Sequence, residues 1–286
     1  MNHDDAALLA RKTWRTVEPL HGMIYFAPEA AAAYAALGIG GRDGYFASRA
    51  APMGAVSADI VVSTFFNFNP QLVHEAIPAA WSTTTPNDMI AARFHAVDGA
   101  FRRVLGDDVV QSKEMARAAV LARELAEVAG AHTEGRPLCA GHAQLAWPSE
   151  GDSHLVVWHA QSILREYRGD GHIALLVTHG LSGIDALITH AAAGDVPAHL
   201  LQATRGWSND DWQAAVDSMR ERGWLADGGG GELALSEWGA SQRQDIETQT
   251  DHLAAEPYAQ LGEDHCAELR TLTRLWSKVF AESLPR

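Results

Sequence analysis

The feature that most constrains this chain is a set of helix starts and stops written along it. Asn69-Pro70 and Thr85-Pro86 each place a capping side chain before a proline at the first helical position, where the missing N–H costs nothing. Ser112, Ser208 and Ser236 precede further stretches of helical period, and Gly106, Gly130 and Gly223 close such stretches in the way glycine favours. The spacing predicts helices over 70–81 (bent at Pro78), 86–105, 113–129, 182–193, 209–222 and 236–254, with shorter ones over 28–37, 138–145 and 197–203. So many capped helices in one chain predict a mainly α fold.

The least ordinary stretch is SHLVVWHAQSILREYRGDGH, Ser153 to His172. Leu155, Trp158, Ser162 and Glu166 recur at spacings of three and four, with His159 beside them, which places them on one side of a helix. Gly169 is expected to end that helix and Asp170 to cap a second one running to His179. The result is a tight hairpin with Arg165, Glu166, Arg168, Asp170 and His172 near its corner. An imidazole, carboxylates and guanidinium forks gathered in this way suit a polar or anionic ligand. Arg168 beside a helix start would hold an anion, and His159 and Glu166 could flank a small molecule as base and acid. Each also has a plain alternative: Asp170 as a cap, Arg165 with Glu166 as an internal ion pair, His159 as a core histidine.

After Gly194 the order becomes helix, turn, helix, two short apolar segments around Asp227-Gly228-Gly229-Gly230-Gly231, then helix. A glycine tip between apolar segments reads as a β-hairpin, and the whole order is that of a winged helix-turn-helix. Residues 182–254 resemble the MarR-like winged-helix families, whose wing leads into a segment like Leu235-Ser236-Glu237-Trp238-Gly239. The chain as a whole resembles an actinobacterial helix-turn-helix family with the motif WHAxxxLRExRGDGH, here Trp158 to His172. These resemblances imply a fold and, for the MarR-like part, a DNA-binding transcriptional regulator that responds to a ligand. Residues 69–77 can also be laid on 208–216, so a tandem duplication is one reading of the N-terminal half. The division expected is a helical domain, 1–150, followed by 151–286 with the hairpin, the winged unit and C-terminal helices.

Charge argues against DNA as the first partner. The chain carries 36 acidic against 22 basic residues, net -14. Part of that deficit falls on the helix and wing that would meet a phosphate backbone: Asp210, Asp211, Asp217 and Glu221, then Asp227 and Glu232. A basic face would have to come from elsewhere, for instance Arg93, Arg102 and Arg103. The expectation is therefore a small-molecule-binding protein, with an enzyme using cofactor-independent acid–base chemistry (lyase, isomerase or hydrolase) as its sharper form. Its pocket is expected between two helical halves, with Phe66, Phe68 and Trp158 as walls and His159, Arg165, Glu166, Arg168 and His172 as polar members. Asn67 lies on the same aromatic and amide-rich segment as Phe66 and Phe68, His74 lies on the helix that follows it, and both are candidates to face that space.

No cofactor is indicated, because GxGxxG after a strand, GxxxxGK[ST] and GxSxG are all absent. None of the 14 histidines falls in HExxH, HxH or a Cys–His pattern, so no metal is expected. Cys139 and Cys266, 127 positions apart, read as ordinary thiols of a reducing compartment. An acidic N-terminus and the lack of a long uncharged apolar run predict a cytoplasmic chain with no membrane partner; a homodimer is also expected.

Overall fold

The computed structural model describes residues 1–227 and 233–283. Among them are sixteen α-helices. The first eight are α1 His3–Gly22, α2 Pro28–Ala36, α3 Gly41–Ala50, α4 Ala58–Phe65, α5 Pro70–Thr83, α6 Pro86–Leu105, α7 Asp107–Val110 and α8 Lys113–Gly130. The rest are α9 Pro137–Ala143, α10 Ser153–Thr178, α11 Gly183–Ala192, α12 Ala198–Arg205, α13 Asn209–Glu221, α14 Glu237–Leu253, α15 Glu256–Leu261 and α16 Glu263–Ser283. Two single 3-10 turns, Met23–Tyr25 and Ala51–Met53, link α1 to α2 and follow α3.

The caps act as the sequence predicts. Thr85, Ser112 and Ser208 each accept from the backbone N–H three residues on, at 3.1 Å. Asn69 Oδ1 accepts from Gln71 N at 2.9 Å, and Ser236 Oγ from Gly239 N at the same distance. Ser182 and Asp185 form a reciprocal capping box at the start of α11.

Two compact units share this chain, and they do not follow chain order. The larger comprises 1–57, 76–171 and 251–286; the smaller comprises 58–75 and 172–250. Three of the four divisions fall inside α5, α10 and α14, and the fourth at the start of α4.

In the larger unit α1 and α16 pack side by side, and α6, α8 and α10 contribute Met89, Val97, Phe101, Met115, Leu121, Leu125, Val157 and Ile163 to one apolar core. The smaller unit has its own core, with Leu187, Ile188, Trp212, Val216, Met219, Trp224 and Ile246 at its centre. Helices α11, α12 and α13 followed by α14 give the helix-turn-helix order expected. The wing does not form as expected: among the described residues there is no β-strand, and only one antiparallel bridge, Leu225 to Leu235, joins the two apolar segments. The glycine tip, 228–232, lies outside the described residues.

The second correction concerns 153–178. This is one helix, not a hairpin broken at Gly169. Gly171 serves a close approach instead. A Cβ on Gly171 would stand 2.8 Å from Arg136 Nη1, and Arg136 donates to the Tyr167 carbonyl from that position. Leu164, Tyr167 and Leu175 are buried on either side of the glycines, so tertiary burial carries the helix through two weak positions.

A different close approach sets the smaller unit. Phe66 has the left-handed φ of 50°, which turns its carbonyl onto the first turn of α11. A Cβ on Gly183 would lie 2.0 Å from that oxygen, with no flexible side chain to yield. Gly183→Ala is therefore expected to cost about 3 kcal/mol in a urea titration, at the upper end of overpacking effects. Gly151→Ala, whose Cβ would meet nothing nearer than 4.0 Å, should stay within about 0.5 kcal/mol.

Candidate functional site

Buried charge in the larger unit gathers around α10. Glu166 is 1% exposed. Its Oε1 accepts from Arg165 Nη1 at 2.9 Å and its Oε2 from Arg49 Nη2 of α3 at 3.3 Å. Arg165 Nε also reaches Glu18 of α1 at 3.0 Å, and Trp14 Nε1 donates to the other oxygen of Glu18. Burial alone would raise the Glu166 pKa, but the guanidiniums of Arg49 and Arg165 outweigh it and hold the carboxyl at about 2. It is a fixed anion tying α1, α3 and α10 together.

Two other motif residues are engaged in the same way. Arg168 donates to Asp251 at 2.9 Å and lies over the Trp14 ring at 4.3 Å. Asp170, inside the continuous α10, starts no helix of its own. Its carboxylate instead accepts from Cys139 N at 2.9 Å and so caps α9, whose own N-cap residue Arg136 supplies no side-chain bond. Burial pushes the Asp170 pKa up to about 7.

His159 and Trp158 face a separate place. With Pro52, Ile90, Arg93, Phe94, His142 and Leu145 they line a small cleft of about 10 Å³, room for about one water. Several local features assemble it. A Cβ on Gly141 would meet the Pro52 carbonyl at 3.0 Å, so only glycine lets α9 lie against the turn at 51–53 and bring His142 beside Pro52. Arg93 lies on the buried stripe of α6, one turn from Met89 and from Val97. Its Nη1 donates to the Ser48 carbonyl at 3.2 Å, and its guanidinium sits 5.0 Å from the centroid of the Trp158 ring. Trp158 stacks on His21 at 5.5 Å and meets Phe94 edge-on at 5.4 Å. His159 packs edge-on against Trp147 at 4.8 Å.

What distinguishes this cleft is unmet hydrogen bonding. Nε and Nη2 of Arg93, and both ring nitrogens of His142 and of His159, are buried with no hydrogen-bond partner among the described residues. His21, behind Trp158, is in the same condition. Burial, with Arg93 adding to it, lowers the His159 pKa to about 4 and the His142 pKa well below its ordinary value. Both imidazoles are therefore neutral at pH 7, each offering one donor and one acceptor. Sequence reasoning found His159 and Trp158. It named Arg93 only as part of a basic face, and missed His142 and His21. The available signal was a charged or polar residue in phase with apolar ones: Arg93 with Met89 and Val97, His142 with Leu138, His21 with Val17.

The remaining candidates belong to the smaller unit and make separate contacts there. Phe66 and Asn67 hold the α11 start and a neighbouring turn, where the Asn67 carbonyl accepts from Trp207 Nε1 at 3.0 Å. Phe68 is buried beneath the Arg205 guanidinium at 4.9 Å. His74 is exposed and 3.3 Å from Asp59. His172 Nδ1 is 2.9 Å from Thr250 Oγ1, beside a narrow cleft of about 10 Å³ lined also by Thr189, His190, Trp224, Arg243 and Glu247.

The helix-turn-helix surface is acidic. Asp210, Asp211, Gln213, Asp217 and Glu221 are exposed along α13. The smaller unit carries thirteen Asp and Glu against four arginines and no lysine, and all four arginines are occupied. Arg220 pairs with Asp217, Arg222 with Asp185 and Arg243 with Asp195. Arg205 covers Phe68. The alternative basic face does not exist either: Arg93 is buried, Arg102 pairs with Asp98 and Asp107, and Arg103 with Glu29.

Among the described residues, His3, Asp4 and His252 form the one group whose ligand atoms lie within 4.8 Å of one another, and it is at the surface. Cys139 and Cys266 are free and buried. No helix among the described residues is by itself long and apolar enough to cross a membrane.

Two substitutions separate these charges experimentally. Glu166→Gln leaves Arg49 facing a neutral amide in the core and is expected to cost about 3 kcal/mol in chemical denaturation at pH 7. Asp170→Asn should act in the opposite direction. A carboxyl whose folded pKa is raised binds its proton more tightly folded than unfolded, so wild-type stability falls as pH climbs from the ordinary 3.8 to about 7 and is level above that. The amide escapes that loss and still accepts from Cys139 N. Denaturation at pH 8 should find Asp170→Asn more stable than wild type by about 1–3 kcal/mol, with the gap closing by pH 4.

A family model described as a helix-turn-helix family matches residues 10–285. No curated protein and no solved structure matches the chain.

Proposed function

Because that match spans nearly the whole chain, the protein belongs to the helix-turn-helix family, and from this premise we propose that it is a small-molecule-binding member whose ligand occupies the cleft around Arg93, His142, Trp158 and His159. One observation carries the reading: Arg93, His142 and His159 all line this cleft, and six of their nitrogens are buried without hydrogen-bond partners among the described residues. Each such group costs about 1–3 kcal/mol when left unmet. A fold that retains three of these side chains around one cleft is best explained by something that meets them.

In this reading the motif residues divide their work. Trp158 and His159 touch the ligand, Trp158 as an apolar wall and His159 as a neutral donor or acceptor. Glu166, fixed as an anion between Arg49 and Arg165, holds the elements around the cleft. Arg168 and Asp170 lock α10 to Asp251 and to α9. Anion recognition, first expected of Arg168, passes to Arg93. If the protein is an enzyme, His159 is the group placed to take a proton from bound substrate. Glu166 is too acidic to return one near pH 7.

A second reading, DNA-binding regulator, is favoured by the order of α11, α12, α13 and α14. The charge of the same unit opposes it, since exposed carboxylates on α13 work against the counterion release that drives DNA affinity. Native mass spectrometry of the full chain purified from cells, with the released compound identified, tests the first reading. An adduct is expected on the wild type and not on His159→Phe. Fluorescence anisotropy with the gene's own upstream DNA is expected to show no preference over random duplex. Sequence-selective binding at physiological salt, with no adduct on the wild type, would reverse the order of the two readings.

A further inference from the structure

Away from the cleft, and independently of it, we infer that His3, Asp4 and His252 form a binding site for a divalent transition ion of the Zn²⁺ or Ni²⁺ kind where α1 meets α14. His252 Nε2 is 3.0 Å from Asp4 Oδ1, and the His3 ring stacks on the His252 ring with centroids 4.4 Å apart and 16° between the planes. One ligand atom from each of the three lies within 4.8 Å of the other two. Two ligand atoms ~2.1 Å from one ion and at right angles about it stand ~3.0 Å apart. The histidine–aspartate pair already has that spacing. Bringing in the third ligand takes a rotation of the exposed His3 side chain out of the stack.

The three side chains sit on helices that other contacts hold together. Asn2 Oδ1 accepts from Asp5 N at 2.8 Å and fixes the first turn of α1. Arg11 of α1 pairs with Asp251 of α14 at 2.8 Å, and Ala6 and Ala7 pack against Ala255 just past the end of α14. The meeting of His3, Asp4 and His252 thus rests on helix packing and not on their own contacts, which is the support a metal site needs. No ligand spacing shows along the chain, because Asp4 and His252 are 248 positions apart.

The donor set selects the ion. Two imidazoles and one carboxylate suit zinc, nickel, copper or iron, whereas Mg²⁺ and Ca²⁺ take oxygen ligands. Three protein ligands leave the remaining positions to water. Asp4 brings a negative charge that no arginine or lysine pairs with among the described residues. Other exposed histidine–carboxylate pairs of this chain differ. His74 with Asp59 and His132 with Glu256 gather no third ligand among the described residues, and Asp195 beside His190 is taken by Arg243. An exposed ion pair contributes little stability and calls for no second imidazole; a metal ion calls for both.

The experiment titrates the untagged full chain with NiCl₂ or ZnCl₂ by isothermal calorimetry and follows Tm in parallel, with MgCl₂ and CaCl₂ at matched ionic strength as controls. Ni²⁺ and Zn²⁺ are expected to bind with one equivalent in the tightest class and to raise Tm saturably, because the ion ties the first turn of α1 to the last turn of α14 only in the folded chain. Mg²⁺ and Ca²⁺ are expected to do neither. His252→Ala and Asp4→Asn should each weaken that tightest binding by about tenfold or more, the loss seen when even an outer partner of a ligand is removed. His132→Ala removes an exposed histidine of a two-member pair and should bind as the wild type does. Should His252→Ala fail to fold, His3→Ala, at an exposed side chain, carries the same expectation. Tight binding that is unchanged in the folded ligand variants overturns the inference. So does an equal loss in His132→Ala, equal binding of Mg²⁺, or a wild type that binds neither transition ion.

Discussion

Much of the larger unit turns on one buried carboxylate. Glu166 accepts from Arg49 on one oxygen and Arg165 on the other, and Arg165 passes the link on to Glu18. A charge so deep is tolerable only with partners this close, and the arrangement binds helices from distant parts of the chain to α10. Both oxygens of Glu166 are committed to Arg49 and Arg165, and in the cleft beside Trp158 Nε and Nη2 of Arg93 are buried without hydrogen-bond partners among the described residues.

Charge is distributed very differently in the smaller unit. There the helix-turn-helix order is kept and the basic surface that usually accompanies it is not. Thirteen acidic residues face four arginines, each already occupied, and the exposed side of α13 is acidic. Family membership and fold speak for nucleic acid, whereas the electrostatics of the surface that would touch it speak against. Physical chemistry at the contact surface is the more direct guide, since a fold hosts many functions and a repulsive face affects every one that needs contact with phosphate.

How much was legible in the sequence depends on the range of the interaction responsible. Helix starts at Thr85, Ser112, Ser182, Ser208 and Ser236 were readable because a cap is a contact across three residues. The break expected at Gly169 was not there, because glycine's local cost is only about 1 kcal/mol and the burial of Tyr167 and Leu175 exceeds it. The wing was read from apolar segments around a glycine tip, yet only the bridge between Leu225 and Leu235 forms among the described residues. In the site, Trp158 and His159 stood out by type and position. Arg93 and His142 were in view too, as polar residues in phase with apolar stripes, but the stripe says only that they are buried and not what they meet.

The sequence by itself therefore determined the helices, their ends, the acidic surface of the helix-turn-helix unit and the presence of buried polar side chains on α10. Those properties are local: capping, periodicity and composition act within a few residues or add up without regard to partners. Only the tertiary structure decided which guanidinium meets which carboxylate. Glu166 lies 117 positions from Arg49 in the chain, and Asp170 caps a helix that begins 33 positions earlier. Pairings of that kind depend on how helices pack, and so does the unmet edge of Arg93, which marks the cleft beside Trp158 as a candidate binding site.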